Sequence, residues 1–367
     1  MKCFQKSPQI VCLALVFLLL FSDGCTGAQI SPEDAAKANE YGGQSCDIPI
    51  EIHVGDMDLT APRQGEILET DMREYPFDIL AGWLFDLTQE QVEKQTESHT
   101  YEDEWEKMPV WSKILREGES RLMVAQNGHH CSYVLSSSDS NLYRAAASEG
   151  RITGYGYNRV FLMERFPQED LDGLPASQVE KQCNELLDAM GVEEYSVDIY
   201  AMTLESLKMV GEQYDIRPEG REWTKEDECY LLLYRRYMED LPIFSIDGGD
   251  ILIFYSPERG ILCLQTEFWH GNVRNREKVD LVTPQQALLQ IPALVSGAGL
   301  TGQNLEVTEI RLGYVAKNAQ QNETTGKGSL TPCYEICYVL TDMQEQKREG
   351  RFLVDAVTGY GITWNSQ

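Results

Sequence analysis

His129-His130-Cys131 is the densest grouping of metal-ligating residue types in this chain. Zinc needs side chains that converge on one point, whereas consecutive strand residues point alternately to opposite faces. At most two of the three reach one ion, and neither C-x-x-C nor H-E-x-x-H occurs. The sequence therefore assigns no metal site. Asp139-Ser140-Asn141 opens like a calcium loop, but Arg144 stands where such a loop needs glycine and Gly150 where it needs a bidentate glutamate. Gly-x-Ser-x-Gly is absent, and no serine or cysteine sits in a context that would activate it as a nucleophile. Gly154-Tyr155-Gly156 lacks the third glycine of a dinucleotide fingerprint. Acid runs such as Glu102-Asp103-Glu104 read as solvated faces in a chain with 59 acidic residues. No catalytic residue and no cofactor follow from the sequence.

One segment interrupts the acidic field. Phe268 to Lys278 combines aromatics with three positive charges, and it reads as a loop joining two repeated units, 176–268 and 283–367. Loop aromatics beside arginine are favoured at protein–protein hot spots, so Trp269, His270, Arg274 and Arg276 are the candidate partner-binding residues. The competing reading is a linker whose Trp269 packs back on a sheet.

The elements that must position these residues begin after an export signal. Lys2 and Lys6 precede the apolar stretch Ile10 to Phe21, which is shorter than the roughly 20 residues a spanning helix needs. Residues 1–24 are expected to be a secretory signal peptide. Gly24-Cys25 resembles the lipobox of bacterial lipoproteins, which implies acylation of Cys25 and anchoring to the outer face of the cell membrane. Ser22 and Asp23 depart from that pattern, so cleavage near Ala28 and free secretion is the alternative. Residues 25–44 are expected to form a tether and a short helix capped at Ser31-Pro32. The net charge of −28 repels nucleic acid and anionic lipid, so both are poor partners, and solubility is the plain reading of such a surface. Beyond Cys25, seven cysteines remain (Cys46, Cys131, Cys183, Cys229, Cys263, Cys333 and Cys337), an odd number that cannot pair completely within one chain.

At 367 residues the chain suggests more than one folding unit. Residues 45–170 read as an N-terminal α+β region: strands and turns over 47–88, a helix over 101–117 divided by Pro109, and strands over 121–165. In the second half, Ser177 to Glu180 reads as a capping box opening a helix with Val179, Cys183, Leu187 and Met190 on one face and Gly191 at its end. Strands follow at 195–201 and 229–237, then a hairpin around Ser256 to Gly260. The same order recurs: a helix capped at Thr283 with a kink at Pro292, strands at 305–316 and 333–340, and a hairpin over 351–363. Cys229-Tyr230-x-x-x-Tyr234 recurs as Cys333-Tyr334-x-x-x-Tyr338, and Gly260 and Gly359 close corresponding turns. The expected fold class is α+β, with antiparallel sheets each packed by a helix.

The helix start Thr283 to Leu288, together with the closing Val354-Asp355-Ala356-Val357-Thr358-Gly359, resembles a PepSY-type domain; the first unit, over 176–268, matches more weakly than the second, over 283–367. The arrangement is also similar to extracytoplasmic regulators of the YycH/YycI and YpeB kind from Gram-positive bacteria. That resemblance implies a non-catalytic binding or regulatory role toward a sensor or a peptidase, and it transfers no catalytic residue. The alternatives are a hydrolase built from carboxylates of residues 45–170 and a ligand- or cell-wall-binding module.

Overall fold

The computed structural model describes residues 50–55, 57, 59–102, 109–125, 127–153, 156–161, 165–244, 251–266, 270–298, 300, 302–316, 326–343, 345 and 347–362. The signal peptide, Cys25, the tether helix and Trp269 lie outside them. The elements in chain order are β1 (Glu51–Val54), β2 (Gln64–Met72), α1 (Phe77–Phe85), α2 (Gln89–Gln95), β3 (Glu97–Glu102), β4 (Pro109–Glu117), β5 (Ser120–Ala125) and β6 (His130–Val134). Then come α3 (Ser137–Ala147), β7 (Ser148–Thr153), β8 (Gly156–Phe161), α4 (Ala176–Met190), β9 (Tyr195–Met202), α5 (Leu204–Tyr214), β10 (Cys229–Met238) and β11 (Leu241–Phe244). The last are β12 (Ile251–Ser256), β13 (Gly260–Thr266), β14 (His270–Asp280), α6 (Pro284–Leu288), α7 (Ile291–Gly297), β15 (Asn304–Ala316), β16 (Lys327–Thr341) and β17 (Lys347–Asp355).

Two sheets share one ladder. The first runs β3-β4-β5-β6-β13-β12-β10-β9, antiparallel throughout. In the second, the long β16 pairs with β15 along its length, with β17 beside its C-terminal half and β2 beside its N-terminal end. β14 extends this sheet beyond β2, and β1 lies parallel to β15. The short β11 joins the two sheets, antiparallel to β10 and parallel to β15. Strands of residues 45–170 thus complete both sheets: β1 and β2 enter the second, β3 to β6 the first.

Four local readings change. Residues 109–117 are strand β4, which Pro109 opens, not part of a helix. Its buried Val110, Ser112 and Leu115 follow a loose alternation that mixed apolar spacing obscured. α1 is apolar almost all round (FDILAGWLF), and such a run cannot be told from a buried strand by periodicity. α3 occupies 137–147, where only strands were expected; its Asp139 pairs with Arg259 at 2.5 Å, away from any calcium-loop geometry. α4 starts one residue before the proposed Ser177 cap, behind Pro175, and Asp170 accepts a hydrogen bond from the Ala176 N–H at 2.8 Å. Its C-terminus is as expected: Gly191 at φ 77° donates to Asp188 O, while Val192 donates to Leu187 O.

α4 and the α6–α7 pair cover their strands in matching ways. Val179, Cys183, Leu186, Leu187 and Met190 of α4 pack with Tyr230, Leu232 and Tyr234 of β10. Ala287, Leu288, Ile291 and Val295 of α6 and α7 pack with Tyr334, Ile336 and Tyr338 of β16. The Tyr230 hydroxyl donates to Leu174 O, just before α4, at 2.7 Å; the Tyr334 hydroxyl donates to Val282 O, just before the Thr283 cap of α6, at 2.9 Å. Pro292 lies in the first turn of α7 and so separates the two short helices.

The turns correspond as well. Ser256 Oγ accepts from the N–H groups of Glu258 and Arg259, and Asp355 Oδ1 accepts from those of Val357 and Thr358. Each turn closes on a glycine in the left-handed region, Gly260 at φ 72° and Gly359 at φ 75°.

Candidate functional site

The face of the second sheet opposite α6 and α7 holds a buried charged cluster. Register places Arg311 of β15 directly opposite Glu335 of β16, while Arg351 of β17 stands opposite Cys337, one diagonal step from Glu335. Both guanidinium groups reach the carboxylate: Arg311 Nη2 bonds Glu335 Oε2, and Arg351 Nη1 bonds Oε1 at 2.9 Å. Arg311 Nε also approaches Glu309 at 3.5 Å. Glu335 is fully buried.

The electrostatics follow from that geometry. Burial works to raise the pKa of Glu335, but the positive charges of Arg351, Arg311 and Arg235 outweigh it, so the carboxyl titrates below its ordinary value. Arg235 comes from β10, so the field at Glu335 joins both sheets. The Cys337 thiol is pushed up to about 11, by burial first and then by the Glu335 charge. An ionised, doubly clamped carboxylate offers no proton at neutral pH, and a protonated thiol is a weak nucleophile. The arrangement acts as an electrostatic joint.

Of the sequence-predicted contact residues, the described ones lie on β14, an edge strand rather than a loop. The segment HGNVRNREKVD shows no apolar alternation, and pairing with β2 alone makes it a strand. His270 is buried, its Nδ1 within 2.9 Å of Thr70 Oγ1. Gly328 allows this pair, since a Cβ there would meet both atoms at 2.5 Å. Burial, with Arg236 nearby, lowers the His270 pKa to about 3, which keeps the ring neutral. Arg274 pairs with Asp71, and Arg276 with Glu66 at 2.9 Å and with Glu239. Glu239 is aimed by a two-residue turn in which it and Asp240 both have positive φ. These cations fasten β14 to its neighbours, and the buried His270 presents nothing to a partner.

The histidine–cysteine run diverges in the fold. His129 Nδ1 lies 3.1 Å from Arg73 O, while Cys131 is fully buried and its thiol is raised by that burial. Among the described residues, no three His, Cys, Asp or Glu side chains are grouped to share a metal ion. Glu335, Arg311 and Arg351 escaped the reading of the sequence. The available signal was a lone glutamate inside the apolar run Cys333 to Leu340, because a charge buried there needs partners.

Together these elements define an α+β protein with a large, mostly antiparallel sheet and helices packed against it. No protein-family model matches the chain, and no curated protein matches it in sequence. Among solved structures, the chain is similar to an uncharacterized protein from Eubacterium rectale ATCC 33656. The TM-score is 0.52 at 12% identity, covering 90% of this chain and 98% of that one. At that identity the likeness concerns the fold alone.

Proposed function

We propose that this protein is exported, anchored to the outer face of the cell membrane through a lipid on Cys25, and works by non-catalytic binding that regulates a protein partner such as a sensor or a peptidase. One observation carries the reading: α4 with its strands and α6–α7 with theirs are built alike, down to the tyrosine hydroxyl that holds the carbonyl before each helix. Paired helix-on-sheet units of this kind fit the PepSY-like resemblance and the binding role it implies. The apolar stretch and Gly24-Cys25 support the anchor. The state of the Glu335 cluster supports a structural use of its charges over acid–base chemistry.

Crosslinking on intact cells, followed by identification of the captured protein, tests the role; repeated failure to capture any specific partner would sink it. Labelling with a fatty-acid analogue, compared between the natural chain and Cys25→Ala, tests the anchor, and equal labelling of both would refute it.

A further inference from the structure

The first sheet ends at β9, which among the described residues pairs with β10 on one side only. The Ala201 N–H donates to Pro167 O at 2.8 Å, so this residue points away from β10. In an antiparallel strand the direction alternates, so Tyr195, Val197 and Ile199 also turn their N–H and C=O groups outward. A shallow groove of about 290 Å³ runs along this edge, with Val197 and Ile199 on one bank and Glu169 and Asp170 on the other. Asp198 also lines it. At the far end Tyr195 lies in the field of Asp188 and Glu180 on α4, which raises its pKa further after burial.

Proteins blunt exposed strand edges with bulges, prolines or basic side chains. β14, the edge strand at the far end of the ladder, follows that practice: its register breaks twice and Arg276 is clamped across it. β9, reading YSVDIYAM, runs in unbroken register and has no proline, lysine or arginine.

We propose that the β9 edge is a β-augmentation site that takes an extended lysine- or arginine-bearing segment of another protein as an added strand. Main-chain bonds to Val197 and Ile199 supply the pairing, and Glu169, Asp170 and Asp198 select for positive charge. A second copy of this chain would set the same acids against each other and is the wrong occupant. The inference rests on the binding reading above and names the chemistry of the partner.

The test uses a fluorescein-labelled octapeptide of alternating lysine and valine. Its controls are an aspartate–valine counterpart and a lysine–valine peptide N-methylated at alternate residues, which keeps the charge but cannot pair as a strand. The parent peptide is expected to bind at least tenfold more tightly than either control and to slow amide hydrogen exchange at Val197 and Ile199. Val197→Pro, which removes an N–H outside the β9–β10 ladder, is expected to weaken binding at least tenfold with an unchanged unfolding midpoint. Should that variant unfold, Glu169→Lys with Asp198→Lys, both at exposed positions of the groove, gives the same readout. Equal binding of the N-methylated peptide, or protection appearing elsewhere, overturns the site. In cells, a crosslinked partner retained by a folded groove variant overturns the groove while leaving the binding role. Absence of any partner for the natural chain overturns the role, and the peptide titration still decides the groove.

Discussion

β10 reads Cys229-Tyr230-Leu231-Leu232-Leu233-Tyr234 and β16 reads Cys333-Tyr334-Glu335-Ile336-Cys337-Tyr338. On the face toward their helices both strands carry two tyrosines around an aliphatic residue. On the opposite face Leu231 and Leu233 correspond to Glu335 and Cys337. Leu231 and Leu233 are covered by a second helical layer, where Tyr143, Ala146 and Ala147 of α3, Leu207 and Val210 of α5, and Trp223 share their cluster. Glu335 is sealed instead by arginines from β15 and β17, with Arg235 of β10 nearby. One face of each unit therefore repeats a packing solution, whereas the other reports what each unit packs against. Apolar burial needs only volume, but a buried carboxylate needs particular partners.

The largest expected effect probes that second face. Glu335→Ala strands two guanidinium groups in a partly dry site and should cost about 3 kcal/mol in urea unfolding. Adding Arg311→Met and Arg351→Leu should recover most of the loss, because an apolar replacement no longer leaves a charge unpaired. A loss too small to resolve for Glu335→Ala would erase the distinction between the two units.

Leu231→Ala comes next. It opens a cavity beneath the second helical layer and should cost about 2–4 kcal/mol, while Cys337→Ala on the corresponding face of β16 should cost under about 1 kcal/mol. Equal costs would mean that Cys337 is packed as tightly as a core leucine.

The shared face can be sharpened with tyrosines. Tyr334→Phe removes the bond to Val282 O and should cost about 1 kcal/mol. Tyr230→Phe should cost about 2 kcal/mol, because its hydroxyl also accepts the Leu171 N–H and two backbone groups lose their partner. If the order reverses, the first unit does not hold its helix start as the structure indicates.

The smallest effect is one of slope. Because the folded pKa of Glu335 lies below its ordinary 4.5, the ionised form stabilises the fold above that pH, and the contribution is lost as pH falls below it. The stability gap between the natural protein and Glu335→Gln should narrow on acidification below pH 4.5. A gap independent of pH would mean that folding leaves the Glu335 pKa where it lies in the unfolded chain. His270 adds a separate window: its folded pKa of about 3 against 6.5 unfolded makes stability fall from pH 6.5 downward, so His270→Gln should flatten that upper part of the curve.

Much of the second half was legible because its signals are local. The Thr283 capping box, the left-handed Gly191, and the Ser256 and Asp355 turns are each closed within six residues. The apolar face of α4 follows from its own period. The misread elements lie where that locality fails. An all-apolar helix such as α1 has no period to betray it, and a polar strand such as β14 exists only because β2 offers a ladder. The basic segment read as a loop is that strand, and Glu66, Asp71 and Glu239 pair with its arginines from remote positions.

The sequence by itself determined the Thr283 and Gly191 helix ends, the two turns and the tyrosine-lined faces of β10 and β16, since hydrogen bonds and side-chain spacing within a few residues suffice for them. Only the tertiary structure decided that β1 and β2 complete one sheet while β3 to β6 complete the other. It also decided that Glu335 is clamped by two arginines with a third nearby, and that among the described residues β9 has a strand partner on one side only, along an acid-lined groove. Each of those outcomes depends on register between strands far apart in the chain, and register is set by the whole set of pairings at once.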